Sequence, residues 1–163
     1  MTVSSFEDGI DPELRAEFID ESLDGLQRVA ALLVDLEANP DKAETVQAIF
    51  RPVHSIKGNS AYFGLLQTKS LAHELESLLD LVRKGALSPD ATVVGVLLQG
   101  TDDLAAMLRR VRGGQAETPD PAAFARLLEE VRDITSQEKV DETALWLSLL
   151  EKIQRLENPS LLN

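Results

Sequence analysis

A chain of 163 residues has the size of one domain, and 44% apolar residues are enough to build a core. Sixteen Lys and Arg against 28 Asp and Glu give a net charge of −12, a surface that a nucleic-acid backbone would repel. The absence of cysteine excludes disulfides, thiolate metal sites and a cysteine nucleophile. Met1 to Ile10 has no basic region followed by an apolar run, so it does not read as a signal peptide, and residues 1–10 are expected to be a flexible N-terminus. The longest apolar stretch, Ala91 to Leu98, is too short to span a bilayer. A cytoplasmic protein with no membrane and no nucleic-acid partner is expected.

Asp11-Pro12 opens a first helix, with Asp as N-cap and Pro at the first helical position. Leu23, Leu26, Ala30 and Leu33 step by three and four and form its apolar stripe. Asn39-Pro40-Asp41 ends it. A second helix runs from about Lys42 to the Tyr62–Gly64 region, with Val46, Ile49, Phe50, Val53 and Ile56 as its apolar stripe. Pro52 lies inside it and predicts a kink or a loosened turn just before His54.

Gly64 starts the turn into a third helix bearing Leu71, Leu75, Leu78, Leu79 and Val82, with Gly85 as its cap. Ser88-Pro89-Asp90 begins a fourth, in which Leu97, Thr101, Leu104, Leu108 and Val111 repeat the spacing, and Gly113-Gly114 stops it. Thr118-Pro119-Asp120-Pro121 precedes a shorter fifth helix with Phe124, Leu127, Leu128 and Val131. Thr135 to Asp141 reads as a polar linker. A sixth helix, about Glu142 to Glu157, carries Leu145, Trp146, Leu149, Leu150 and Ile153. That apolar face is expected to pack on something, most simply the outside of the same domain. The fold class is therefore all-α: an antiparallel four-helix bundle with one or two additional C-terminal helices. The bundle with its capping helix would cover residues 11–134, and the linker and extra helix residues 135–163.

The chemistry concentrates at His54-Ser55-Ile56-Lys57-Gly58. His54, Lys57 and Gly58 share one side of the second helix. Each residue turns the helix by about 100°, which puts His54 at the flank of the apolar stripe, between core and water. His73 and Glu76 are one turn apart on the third helix, off its stripe, and would face His54 across a shallow groove if the two helices are antiparallel neighbours. An imidazole that accepts a phosphoryl group needs one ring nitrogen free. A carboxylate such as Glu76, bonded to the other nitrogen, fixes the tautomer. Lys57 would add positive charge near the phosphoryl oxygens. Gly58 would let a partner approach the helix closely, beside Ser55 and Asn59. Taken singly, each residue has a plainer reading: a solvated histidine, a surface lysine, a weak spot in a helix. A metal site at His54, His73 and Glu76 fits less well, because the metal would occupy the imidazole nitrogen and sit beside Lys57.

Phe50 to Gly58, followed by Phe63-Gly64, resembles the histidine phosphotransfer (HPt) motif H-x-x-K-G-x-x-x-x-x-G. Leu71-Ala72-His73-Glu74-Leu75-Glu76 narrows the resemblance to the N-terminal phosphotransfer domains of CheA-type chemotaxis kinases, over roughly residues 11 to 135. The resemblance implies His54 as phosphorylation site, supported by Lys57, His73 and Glu76. It implies two partners, the ATP-binding domain of a histidine kinase and a CheY-like receiver domain, and a role in two-component signalling. ATP and Mg²⁺ would come from those partners, with no cofactor or metal bound by this chain. No glycine-rich ATP loop is evident, so the chain is expected to be a substrate and carrier, a piece of a CheA-like kinase. The alternatives are a free-standing phosphorelay protein and a helical adaptor whose histidine is incidental.

Overall fold

A computed structural model describes residues 9–157, except for the side chains of 138–142 and 155–157. It contains five helices: α1 (Pro12–Ala38), α2 (Ala43–Tyr62), α3 (Leu66–Arg83), α4 (Ala91–Arg112) and α5 (Pro121–Glu157). No strand occurs among the described residues. Contacts run α1 to α2, α2 to α3, α3 to α4 and α4 back to α1, closing a four-helix bundle, and α5 packs on α3. The expected flexible N-terminus lies outside the described residues up to Asp8. Ile10 is packed against the core.

Local chemistry sets most of the helix ends. The Asp11 carboxylate accepts the Glu13 N–H at 2.9 Å, with Pro12 in the first turn. The Asp90 side chain caps α4 through the Val93 N–H, and Asp120 caps α5 through Ala122 and Ala123. Gly64, Gly85 and Gly114 take φ between 70° and 75° just beyond α2, α3 and α4, the left-handed turn that glycine makes without a side-chain clash.

The core is built from the expected stripes. In α3, Leu71, Leu75, Leu78 and Leu79 are at most 1% exposed. All five expected positions of α4 are buried. By length and composition α4 could cross a membrane, but half of that stretch is buried inside the bundle, the setting of a core helix. In α1 the buried line is Phe18, Ile19, Ser22, Gly25, Leu26, Val29, Leu33 and Leu36, so Leu23 and Ala30 sit at its edge and not on it.

Two stretches are more continuously helical than expected. Helix α2 continues unbroken through Pro52. Opposite it on α1, Gly25 has no side chain, and a Cβ added there would lie 3.4 Å from the Pro52 Cβ. The proline ring thus fits where α1 is bare, and the two helices approach closely. The segment Thr135 to Asp141 is helical, so the fifth and sixth helices are one 37-residue rod. Its Gln, Glu and Lys are good helix formers, and no Gly or Pro interrupts it. Only the first half of α5 is docked, through Leu128, Val131 and Thr135 and an Arg132–Glu74 ion pair at 2.7 Å. Leu145, Trp146, Leu149, Leu150 and Ile153 are 41–62% exposed, so the tail does not fold back on the bundle.

One contact could not be read from local sequence. Helix α3 has Leu65 at its N-cap, which supplies no side-chain bond. Glu117, in the loop before α5, fills that role: its carboxylate accepts the Thr68 N–H at 2.6 Å, the Thr68 hydroxyl at 2.7 Å and the Gln67 N–H at 3.3 Å. Thr68 is fully buried, so no water replaces these bonds. Glu117→Ala should lower the unfolding free energy by about 1–3 kcal/mol, read from urea denaturation. Glu117→Gln, which keeps an acceptor, should lose less.

Candidate functional site

The site is a seam between α2 and α3. His54 and Lys57 come from one edge of α2, spaced by one turn, and Glu76 comes from the facing edge of α3. Nδ1 of His54 lies 2.9 Å from Oε2 of Glu76, and Nζ of Lys57 donates to Oε1 of the same carboxylate at 2.7 Å. Burial grades across the three side chains, from 16% exposed for Glu76 and 24% for Lys57 to 60% for His54.

Burial works to raise the Glu76 carboxyl, but the hydrogen bonds from Lys57 and His54, and their charges, outweigh it and hold the group below its ordinary range. Glu76 is therefore ionised near neutral pH, and an ionised carboxylate only accepts. Nδ1 of His54 must be the donor. In the neutral imidazole the lone pair is then on Nε2, on the side of the ring away from Glu76.

The structure brings together His54, Lys57 and Glu76. It leaves His73 exposed on α3, with its imidazole in no hydrogen bond to His54 or Glu76. Lys57 is engaged with Glu76 and not held out toward solvent. Gly58 is exposed, and a Cβ there would meet nothing within 4 Å. Nothing in the domain's own packing demands a glycine at that point. Ser55 accepts a hydrogen bond from Asn59 at 3.3 Å, and both line a shallow groove between α1 and α2 together with Arg28 and Arg51. Among the described residues no cluster of His, Asp and Glu has the geometry of a metal site.

One neighbour of His54, and a residue that packs on it in turn, escaped the sequence reading. Phe50 was assigned to the core stripe, yet it is only half-buried, and its ring stacks on His54 with centroids 5.8 Å apart and planes 14° apart. The i, i+4 spacing carried that signal. Arg83, from the last turn of α3, lies over the Phe50 ring at 4.4 Å and pairs with Asp80. Only the register of α3 against α2 reveals it.

The family model for the Hpt domain matches residues 13–136. The chain belongs to the Hpt domain family. Among curated relatives, a chemotaxis protein CheA of Rhizobium meliloti is 35% identical over 126 residues, 77% of this chain and 16% of the relative. The CheA of Salmonella typhimurium is 30% identical over 126 residues, 77% of this chain and 18% of the relative. The Hpt chain thus spans less than a fifth of the length of these relatives. Among solved structures it is similar to the phosphorylated P1 domain of CheA3 in complex with CheY6 from R. sphaeroides. The TM-score is 0.69 and the identity 34%, covering 77% of this chain and 97% of that one. The CheA phosphotransferase domain from Thermotoga maritima matches with TM-score 0.59 and 28% identity, over 63% of this chain and 98% of that one. This Hpt domain is accordingly similar to the phosphotransfer domains of CheA proteins.

The lowered Glu76 carboxyl has a consequence for stability. Its folded value lies below its unfolded one, so the pairing stabilises the fold fully above the unfolded glutamate value of about 4.3. That contribution is lost as pH falls through the lower folded value. Glu76→Gln should be less stable than the parent at neutral pH, and the gap should close as pH falls below about 4. Thermal midpoints of both proteins across pH 2.5–7 check this; a gap that is constant across the range rules the ionic account out.

Proposed function

We propose that His54 receives a phosphoryl group from the ATP-binding domain of a histidine kinase and hands it to the aspartate of a CheY-like receiver domain. The observation that carries this reading is the Glu76-anchored imidazole, tied at Nδ1 and open at Nε2. The Nε2 lone pair forms a bond to the γ-phosphorus of ATP as the bond from that phosphorus to the bridging oxygen breaks and ADP leaves. No proton has to leave Nε2. The ring becomes a phosphoimidazolium that still carries its Nδ1 proton, and the Glu76 carboxylate stabilises that positive charge. In the second step the N–P bond breaks as a receiver carboxylate oxygen bonds to phosphorus, and neutral His54 returns.

Lys57 holds Glu76 in place for both steps. His73, one turn from Glu76 on α3, is given a supporting role at the same edge. Ser55, Gly58 and Asn59 form the surface on which the receiver docks. ATP and Mg²⁺ arrive with the partners, and the exchange belongs in the cytoplasm. The similarity to CheA relatives supports a kinase-linked phosphotransfer module over a free-standing relay protein or an adaptor with an incidental histidine.

Incubation with a CheA kinase core and labelled ATP tests the proposal. His54→Gln should abolish labelling without loss of helicity, and the label on the parent should be acid-labile and base-stable. Equal labelling of the variant would place the phosphoryl group elsewhere. Glu76→Ala should label roughly ten- to a hundredfold more slowly.

Gly58 separates docking from folding. Because its surroundings are open, Gly58→Leu should raise the unfolding free energy by about 0.5–1 kcal/mol. It should also slow transfer from phosphorylated His54 to the receiver. Joint loss of stability and transfer would make the glycine structural.

A further inference from the structure

One hydrogen bond does not fix an imidazole. The bond from Nδ1 to Glu76 sets the distance of His54 from α3, but the ring is still able to swing about that contact, because the torsion at the ring is broad. With a side chain that is 60% exposed, little else encloses it. Phosphoryl transfer needs the Nε2 lone pair in line with the bond that breaks, so the plane of the ring matters as much as its position.

We propose that Phe50 is a positioning residue for His54, and that Arg83 acts through it. Phe50 precedes His54 by one turn of α2, and its ring lies nearly parallel to the imidazole, 14° apart in plane with centroids 5.8 Å apart. A flat neighbour at that angle restricts the tilt of the ring, the freedom that the Glu76 bond leaves open. Phe50 is itself held: the Arg83 guanidinium lies over its ring at 4.4 Å, attracted by the negative face of the aromatic system. Arg83 is in turn tied to Asp80, which also binds Lys84 at 2.6 Å. The Lys84 hydrogen bond leads the interactions that hold the Asp80 carboxyl below its usual range, against the opposing effect of burial, and those with Arg83 add to it. The last turn of α3 therefore presents Arg83 to Phe50, and Phe50 presents a surface to His54. Glu76 and Phe50 constrain the imidazole in complementary ways, one at an edge and one on a face.

The inference rests on His54 as phosphoacceptor, and the experiment separates the two ideas. Phe50→Leu, Phe50→Tyr and Arg83→Gln are assayed as substrates of a CheA kinase core. The His54 ring protons are followed by NMR, because a stacked Phe50 displaces their resonances through its ring current. Phe50→Leu should lose that displacement and lower kcat about tenfold with KM unchanged. Phe50→Tyr, which keeps the ring, should restore both, and Arg83→Gln should fall between. Labelling of Phe50→Leu at the parent rate overturns the proposal. So does a loss confined to KM, which would mean docking, or a Phe50→Tyr variant as slow as Phe50→Leu, which would mean core packing. An unlabelled parent protein would sink the phosphoacceptor reading and the role with it, while the ring shift would still report whether the stack exists.

Discussion

A single carboxylate joins the two halves of the site. Glu76 reaches from α3 to two donors on α2, and these stand one helical turn apart. The arrangement exists only in one register of α2 against α3. A slip of one residue would move a side chain by about 1.5 Å along the axis and about 100° around it, which takes Glu76 off the seam. The ion pairs do not set that register, because partly exposed pairs contribute about 0–1 kcal/mol. Buried leucines, valines and isoleucines set it, at about 1.5–3 kcal/mol for each side chain removed from water. Ile49, Val53 and Ile56 on α2 are at most 2% exposed, as are Leu71, Leu75 and Leu78 on α3. Gly64 then turns the chain, with the Leu65 N–H returning to the Ser60 carbonyl at 2.8 Å, and Phe63 stacks on Phe18 of α1. The packing fixes the geometry and the charges make use of it.

The same seam reconciles two demands on the histidine. In the proposed role the histidine must be reachable by two different proteins in turn, which favours exposure. It must also present one nitrogen in a defined protonation state, which favours a fixed partner. Placing His54 at the flank of the α2 stripe meets the first demand, and placing the partner carboxylate deeper meets the second. Gly58, one turn beyond His54 and open to solvent, extends the accessible surface without adding a side chain to it.

Much of this was legible in the sequence because it depends on spacing. His54 and Lys57 share an edge by helical arithmetic. Asp11, Asp90 and Asp120 announce helix starts, and the glycines at 64, 85 and 114 announce ends. What sequence could not supply was rotation and register. A helical wheel put Glu76 and His73 together near His54, and packing delivered only Glu76 into hydrogen-bonding contact. Lys57 looked free to meet a phosphoryl group, but the distance to Glu76 engages it. Phe50 was apolar at a stripe position, so its second role beside His54 was hidden, and Arg83 lies 29 positions beyond His54 in the chain. The Glu117 cap on α3 joins residues some 50 positions apart, beyond any local capping pattern. The stretch from Thr135 to Asp141 was misread because polarity was taken for irregularity, although polar helix formers without glycine or proline continue a helix.

Charge frames how partners must approach. The net charge is −12, so at long range this chain repels ATP, itself a polyanion. Lys57, Arg83 and Lys84 gather along the α2–α3 edge, although each is matched by Glu76 or Asp80. The matched pairs themselves offer a free nucleotide little net positive charge, and screening over about 8 Å at physiological salt confines their influence to contact distance. In the proposed role a phosphoryl donor reaches His54 more readily on a protein surface that neutralises it, and the acidic net charge of the chain favours a partner with basic residues near its own site. On this account the acidity of the domain acts as a filter. Under the proposed function it discourages unescorted polyanions and leaves the exposed His54 side chain to a donor delivered by a docked protein.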